Sequence, residues 1–465
     1  MKHLPLLTIA AIVLVIVLTR LPFLDAGYGA NMDAWRVANV ARHLATTGEY
    51  EASRLPGYPL QEMVCAAFWW GGPMALNGLS TLMSLAAVLA FFFIARACQC
   101  RDAWAYALAL AFTPVFFINS VSAKDYVWAI AFVLWALWSA IRNRPMLCAL
   151  FLGLAIGCRI TSGAMILPLG MILWPQLGTG KGRGMARFVV FACLMGVLCF
   201  LPVWLRYGPG FFTFYENHDR LGIGGILQRA SMEVWGPLGF LGLIVAGFGI
   251  ALAAFRSRRA ETPSQPKLLL PLLVMITLYL IAFWRLPDQA GYLVPVIPAV
   301  LLLVALDSPR WAGLAFCGLL TASPWLSFAN GRPQPGPILQ DHAERMQTLN
   351  GVKGFLAFCN QHLPPDCIVT VGAWQPIITV LAPESAERFP YLISLDEAKA
   401  LLAHGHHLAY ASESIREFNY RINHFDLASA GAVDVHALYL KEALPESSEQ
   451  PSPAPAPQST ASAGQ

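Results

Sequence analysis

The sequence contains few charged residues. Asp, Glu, Lys and Arg make up 12% of its 465 residues, whereas soluble domains carry about 25%. Hydrophobic residues make up 57%, and the mean hydropathy is +0.55. These values exclude an ordinary soluble enzyme. Apolar runs of roughly twenty residues, the length needed to cross a bilayer, recur along most of the chain. The sequence therefore predicts a polytopic α-helical membrane protein.

Histidine is scarce in the apolar part, where only three of the ten histidines precede residue 330. Most cysteines also lie in or beside apolar runs without metal-ligand spacing, and this excludes a zinc site there. His404, His406 and His407 share one loop that lacks a spaced ligand motif as well. Cys359 and Cys367 flank a short turn that is able to bring them together. In an oxidising compartment the sequence is therefore consistent with a disulfide between them and equally with two free thiols.

The first apolar run, residues 4–24, follows Lys2 and lacks a small-residue cleavage site, so we interpret it as an uncleaved span. About eleven spans are predicted in total. An odd number places the two termini on opposite sides of the membrane. The further runs are 73–95, 103–121, 126–141, 146–158, 163–177, 187–206, 235–255, 268–284, 291–306 and 311–329.

Basic residues are concentrated in alternate short loops. These loops hold 13 Lys and Arg but only 3 Asp and Glu, which identifies their side as the cytoplasm and places the N-terminus there. We therefore expect a multi-pass protein of the inner (cytoplasmic) membrane. Two long loops, about 25–72 and 207–234, fall on the outer side with most of the acidic residues. This asymmetry fits simple retention of basic loops, and it equally fits an extracytoplasmic active site.

The composition changes after residue 329. A Gly- and Pro-rich linker begins at residue 330, and the polar stretch up to residue 444 predicts a small extracytoplasmic α/β domain. Residues 445–465 are rich in Pro, Ala and Ser and predict a disordered tail. Within the polar stretch, a helix is predicted at 341–362 and a second after 396, with strands at 367–371, 407–411 and 433–440.

Asp33 stands just past the first span, at the start of an amphipathic segment that ends before Gly48. Its position is typical of a helix N-cap. A carboxylate at the membrane surface is also a candidate for chemistry. The position alone favours capping and does not exclude a functional role.

Other polar residues of the outer loops are candidates for a site that holds an anionic lipid head group. An arginine beside a Pro/Gly turn is suited to a phosphate, and a Lys–Asp pair in a tight turn is either functional or a marker of the membrane surface. A lone histidine is more often a hydrogen-bonding residue than a metal ligand. These candidates are Arg54 and Tyr58 in Ser53–Leu60, Lys124 with Asp125, His218 in the second long loop, and Arg285 and Tyr292 near the ninth and tenth spans.

The order of these features resembles the GT-C glycosyltransferases, and specifically the family 39-like enzymes that include protein O-mannosyltransferases and lipid A aminoarabinose transferases. The resemblance covers roughly residues 1–330. The sequence departs from the family at Ala34, where a second acidic residue often stands. The matching pieces are Asp33, the stretch 54–60, Asp125, the segment 154–163 with Arg159, and the stretch from Arg285 through Tyr292 to Pro298.

The resemblance implies a GT-C-like transmembrane catalytic domain over residues 1–329 and an inverting transfer of a sugar from a polyprenyl-phosphate carrier. A carboxylate takes the acceptor proton, and cations stabilise the phosphate leaving group. Asp33 matches the first role, and Asp125 matches a residue that orients the acceptor or a cation. The candidates for contact with the donor are Arg54, Tyr58, Lys124, Arg159, His218, Arg285 and Tyr292.

The expected partners are a polyprenyl-phosphate-sugar donor, a glycan, lipid or protein acceptor in the cell envelope, and membrane lipids, with no nucleic acid. No cofactor is firmly implied, and a loosely bound divalent cation stays open. A transporter or flippase of lipid-linked sugars is an alternative, although it would place charges near mid-bilayer. An outer-face glycan polymerase or ligase is another. A structural or sensory protein, with the outer domain as receptor and the spans as its anchor, is a further alternative. Eleven spans are more than such an anchor needs.

Overall fold

The computed structural model describes residues 4–212, 222–257, 266–329, 331–412 and 427–443. The predicted disordered tail at 445–465 lies outside them. The chain divides into two compact units, residues 1–351 and 352–465, whereas the sequence predicts a domain boundary at 329. The helices of the first unit are α1 (Leu4–Arg20), α2 (Met32–Thr47), α3 (Pro59–Ala67), α4 (Gly72–Ala97), α5 (Ala103–Ala111), α6 (Pro114–Ser120), α7 (Tyr126–Ile141), α8 (Pro145–Cys158), α9 (Ile166–Leu173), α10 (Lys181–Tyr207), α11 (Ile223–Gln228), α12 (Val234–Ser257), α13 (Pro266–Arg285), α14 (Val296–Asp307), α15 (Arg310–Ala322) and the first part of α16 (Pro337–His362).

Five segments of the described chain are long and apolar enough to cross a membrane, and a sixth results if α5 and α6 form one broken span. The chain is therefore a polytopic helical membrane protein. The helices α7, α8 and α14 and the segment 160–176 are apolar but shorter. Each of the predicted runs contains a helix, although the count of eleven spans stays a prediction. The five long segments are Leu6–Phe23, Trp69–Ala97, Lys181–Phe211, Ile223–Phe255 and Leu268–Arg285.

One predicted span is broken. The run 103–121 forms α5 and α6, which bend by 65° at Pro114, because proline lacks the N–H that continues a helix and clashes with the preceding turn. Arg20 at the end of α1 is fully buried beside this break. Its guanidinium donates to the carbonyl of Ala111, the last residue of α5, and its Nε donates to Ser120 Oγ at 3.3 Å. The buried cation thus satisfies a carbonyl that the broken helix leaves free.

The helices that carry the site are closely packed. α7 packs against α4 and α8, and α8 packs against α10. Two glycines of α8 permit this approach: a Cβ at Gly153 would lie 2.3 Å from Met195 Cβ, and one at Gly157 would lie 2.6 Å from Cys199 Cβ. Small residues at such contacts let membrane helices approach through their backbones.

The last predicted span is shorter than expected. α15 ends at Ala322, and Leu326–Ala329 forms strand β1, which pairs antiparallel with β2 (Arg332–Pro335). The expected run 311–329 and the expected linker were therefore wrong in part, because the Gly331 turn (φ 72°) returns the chain into a hairpin.

The second unit holds a three-stranded parallel sheet in the order β3 (Ile368–Thr370), β4 (Leu408–Tyr410) and β5 (Val433–Asp434). β3 and β4 lie where strands are predicted. The strand expected over 433–440 is wrong beyond Asp434, since Val435–Ala443 is helical. The helices of this unit are the end of α16, α17 (Gln375–Leu381), α18 (Leu395–Ala403) and α19 (Val435–Ala443). Cys359 and Cys367 are both buried free thiols.

Candidate active site

The carboxylate of Asp33 does not cap the start of α2. Asn31, not Asp33, caps the helix: its backbone is extended and its side-chain oxygen accepts from the backbone N–H of Asp33 at 2.8 Å. The helix ends at Gly48, whose φ of 76° is the left-handed conformation of a C-terminal stop. The capping alternative for Asp33 is therefore wrong, because Asn31 fills that position.

Three side chains surround the carboxylate of Asp33. Arg54 Nη1 and Gln289 Nε2 both donate to Oδ2, each at 2.9 Å. Arg36, one turn along α2, holds Nη1 3.7 Å from Oδ1. The two hydrogen bonds thus share one carboxylate oxygen, Oδ2, whereas the Arg36 guanidinium lies nearer the other oxygen at a longer distance.

A buried carboxylate builds the loop that carries Arg54. Glu62 of α3 is fully buried and accepts from Tyr50 Oη (2.5 Å), from the N–H and hydroxyl of Ser53 (2.8 and 2.5 Å), and from the N–H of Tyr58 (3.2 Å). Burial raises the pKa of Glu62, and the bonds from Ser53 and Tyr50 oppose that rise. Sequence analysis did not identify Glu62. A lone acidic residue in an otherwise apolar helix is the pattern that could have indicated it.

A second ion pair lies beside the first. Arg159, which follows α8, places Nη1 2.5 Å from Asp125 Oδ2, and the pair is largely buried. The Arg159 guanidinium also lies over the rings of Tyr126, Tyr292 and Tyr58, at 4.5, 5.2 and 5.7 Å from their centres. Aromatic faces stabilise a cation in this geometry.

Tyr58 connects the two ion pairs. Its hydroxyl accepts from Arg54 Nη2 at 2.7 Å, which leaves the hydroxyl proton available to another acceptor. Burial, followed by the negative charge of Asp125, raises the pKa of Tyr58 to about 12. The phenol therefore stays protonated at physiological pH.

Gln289 links Asp33 to Lys124. Its Oε1 accepts from Tyr126 Oη at 3.0 Å and lies 3.5 Å from Lys124 Nζ. Because both neighbours of this oxygen are donors, the amide NH2 faces Asp33. Sequence analysis named the stretch 285–292 but not Gln289, since a neutral amide carries no charge signal.

Several of these residues line an open pocket with about 280 Å³ of space between its lining atoms, a volume that includes open solvent. Burial favours the neutral form of Asp33, but the charges of Arg54 and Lys124 and the hydrogen bond from Gln289 outweigh it and lower the pKa of the carboxyl. Burial also lowers the pKa of Lys124, against the opposing charges of Asp33 and Asp341. The lining residues are Asp33, Arg36, Val37, Ser53, Arg54, Tyr58, Lys124, Asp125 and Tyr126.

Seven of the nine candidates from the sequence come together in this pocket or directly beside it. Arg285 is exposed at the end of α13, and no hydrogen bond or ion pair joins it to the cluster among the described residues. His218 lies outside the described residues. Over the part of the chain that the structure describes, no group of three His, Cys, Asp or Glu side chains has a metal-binding arrangement. The seven are Asp33, Arg54, Tyr58, Lys124, Asp125, Arg159 and Tyr292.

Comparison with known proteins gives a similarity to solved structures. No family model matches the sequence, and no curated protein matches it. Among solved structures, the chain is similar to the crystal structure of ArnT from Cupriavidus metallidurans in the apo state, with 17% identity over 93% of this chain and 74% of that chain, and a TM-score of 0.48. At this identity and superposition the similarity assigns no activity.

Proposed function

We propose that the protein is an inverting glycosyltransferase that moves a sugar from a polyprenyl-phosphate carrier to an acceptor hydroxyl at the outer face of the cytoplasmic membrane. The observation that carries this proposal is the cavity that the carboxylate of Asp33 lines together with the cations Arg54 and Lys124. Phosphoryl-linked sugar transfer needs both kinds of group in one place.

Asp33 Oδ1 is the oxygen that takes the proton. Oδ2 already accepts two hydrogen bonds from Arg54 and Gln289, so its lone pairs are engaged. The acceptor hydroxyl donates to Oδ1, its oxygen attacks the anomeric carbon, and the bond from that carbon to the phosphate oxygen breaks. Polyprenyl phosphate leaves with the bonding electron pair. One displacement inverts the anomeric centre without a covalent sugar–enzyme intermediate.

Arg54, Lys124 and Arg159 supply positive charge for the phosphate. Asp33 alone is a weak base because Arg54 and Lys124 lower its pKa. An anionic donor phosphate bound to the same cations offsets part of their field at Asp33, which strengthens the base when the substrate is in place. Asp125, paired with Arg159, keeps that guanidinium oriented between the tyrosine rings.

The distribution of charge supports the outer face. Asp33, Lys124, Arg159 and Gln289 follow or precede apolar helices at loops that alternate with the basic ones. Basic loops are retained in the cytoplasm, so the candidate site falls on the opposite side, where polyprenyl-linked donors meet cell-envelope acceptors.

The test is transfer from a panel of radiolabelled polyprenyl-phosphate sugars by the purified full-length protein, with envelope extract as acceptor. We expect Asp33→Asn to lower turnover by about 10²-fold or more while its thermal stability stays near that of the wild type. Asp25→Asn, the same substitution at an exposed position eight residues earlier, should transfer normally. Wild-type turnover in Asp33→Asn would refute the role of Asp33, and donor binding without turnover in the wild type would favour a transporter.

A further inference from the structure

The turn that carries Lys124 and Asp125 joins α6 to α7 at residues 120–125, and we name it the Lys124 turn. Residues outside the cavity fix its backbone on one side. Thr81 Oγ1 donates to the carbonyl of Ser120 at 2.8 Å. The backbone N–H of Ala123 donates to the carbonyl of Tyr28 at 2.9 Å. These bonds tie the turn to α4 and to the loop before α2.

On its other side, the Lys124 turn is held by α16. Arg345 donates from Nη1 to the carbonyl of Val121 at 2.8 Å and from Nη2 to Ser122 Oγ at 2.7 Å. The same Nη2 lies 2.6 Å from Asp341 Oδ2, one turn earlier in α16. The side chain of Arg345 is only 1% exposed and does not line the cavity. A guanidinium this deeply buried is stable only with such partners.

We propose that Arg345, supported by Asp341, is a positioning residue for the Lys124 turn, so that the part of α16 up to Gly351 belongs to the catalytic unit. This inference rests on the proposed function, in which Lys124 contacts the donor phosphate. The sequence predicts that a separate domain begins at residue 330. Two charge-assisted hydrogen bonds from a buried arginine join this part of α16 to the turn.

The charge of the segment also acts on Lys124. The groups that face its ammonium are Asp33 from α2, Asp341 and Arg345 from α16, Gln289 from the loop after α13, and the adjacent Asp125. Asp33 and Asp341 raise the pKa of Lys124, whereas burial, the largest influence, and the charge of Arg345 lower it. Removal of the Asp341 charge therefore favours the neutral amine at a given pH.

The experiment measures how fast Lys124 reacts with a small amine-acylating reagent, because only the neutral amine reacts. The full-length protein in nanodiscs is labelled across a pH series without donor, and the Lys124 peptide is quantified by mass spectrometry. We expect Arg345→Met to speed labelling of Lys124 about tenfold at the alkaline end of the series, where the amine is neutral in both proteins, since loss of bonds to a charged group permits local opening. Loss of the Arg345 charge should itself move half-maximal labelling to higher pH. Asp341→Asn should move half-maximal labelling to lower pH. Arg345→Lys should lie between Met and wild type, because an ammonium cannot form the forked contact.

Arg310→Met is the matched control. Arg310 also pairs with an aspartate, Asp102 at 2.9 Å, but its side chain is 66% exposed, so its loss should leave Lys124 labelling unchanged. If Arg345→Met does not fold, Asp341→Asn and Arg345→Lys provide the same comparison. Unchanged Lys124 labelling in the folded variants overturns the proposal.

A transfer assay with the same proteins separates this proposal from the proposed function. We expect Arg345→Met to lower kcat more than it raises KM, with partial recovery in Arg345→Lys. Accelerated labelling together with no transfer by the wild type would support the positioning of the turn and refute the glycosyltransferase. Accelerated labelling with unchanged kcat in Arg345→Met would overturn the catalytic part of the inference.

Discussion

The two arginines that face Asp33 allow its electrostatics to be tested by a matched pair of substitutions. Arg54 lies 2.9 Å from Oδ2 and is 17% exposed, whereas Arg36 lies 3.7 Å from Oδ1 and is 27% exposed. Arg54 is the strongest of the charges that lower the pKa of Asp33, and Arg36 is the weakest. Replacement of either by methionine keeps an unbranched apolar stem and removes the charge.

The size of the effect follows from the geometry. Two charges about 4 Å apart interact by about 4 kcal/mol at an effective dielectric constant of about 20. An adjacent arginine lowers carboxylate pKa values by about 1–3 units, which is about 1.4–4 kcal/mol. Since the Asp33–Arg54 pair is mostly buried, we expect an effect of this size in Arg54→Met and a markedly smaller one in Arg36→Met.

The assay is infrared titration of the Asp33 carboxylate, read as the difference between each protein and its Asp33→Asn counterpart. Because Arg54 favours the ionised form, the transition should move to higher pH in Arg54→Met. The acidic limb of the kcat/KM profile should move in the same direction. The stability that ionised Asp33 contributes is present above its unfolded pKa and is lost as pH falls through its lowered folded pKa. Arg54→Met should therefore narrow the acid stability range.

Equal shifts in the two variants would refute this reasoning, because they would show that the field at Asp33 does not depend on the close contact to Oδ2. An unmoved transition in Arg54→Met would show that the ion pair is absent in the membrane-embedded protein. Either outcome is independent of whether a donor has been identified.

Two further predictions concern the framework of the site. Glu62→Gln should lower the free energy of unfolding by about 1–3 kcal/mol and weaken transfer, because the new amide nitrogen must face either the N–H of Ser53 or that of Tyr58. Thermal unfolding and turnover measure the two effects, and unchanged values in both would contradict the prediction. Gly153→Ala should destabilise the protein by about 1–3 kcal/mol, because the new Cβ would clash with Met195. Gly247→Ala on α12 is the control, since a Cβ there has no neighbour within 4 Å. Comparable melting temperatures for the two variants would contradict the close packing of α8 and α10.

Local pattern in the sequence determined the helices well. The run 126–141 coincides with α7, and 146–158 coincides with α8 except for its first residue. Apolar runs of this length have no stable alternative in lipid, because every backbone polar group must be paired within the segment. The same reasoning predicted Asp33, Arg54, Lys124 and Asp125 as candidates, since ionisable residues at span ends are costly unless they serve a purpose.

Only the tertiary structure decided how these residues combine. Asn31 rather than Asp33 caps α2, a choice between two neighbouring residues that hydrogen-bond geometry settles. Gln289 reaches Asp33 across 256 positions of sequence, and Arg345 reaches Val121 across 224. Glu62 is likewise the centre of a loop that no local motif describes. Such contacts depend on how the helices pack, and no local periodicity in a single sequence encodes that packing. Hydrophobicity and helix length, by contrast, are set by neighbouring residues and can be predicted from the local sequence.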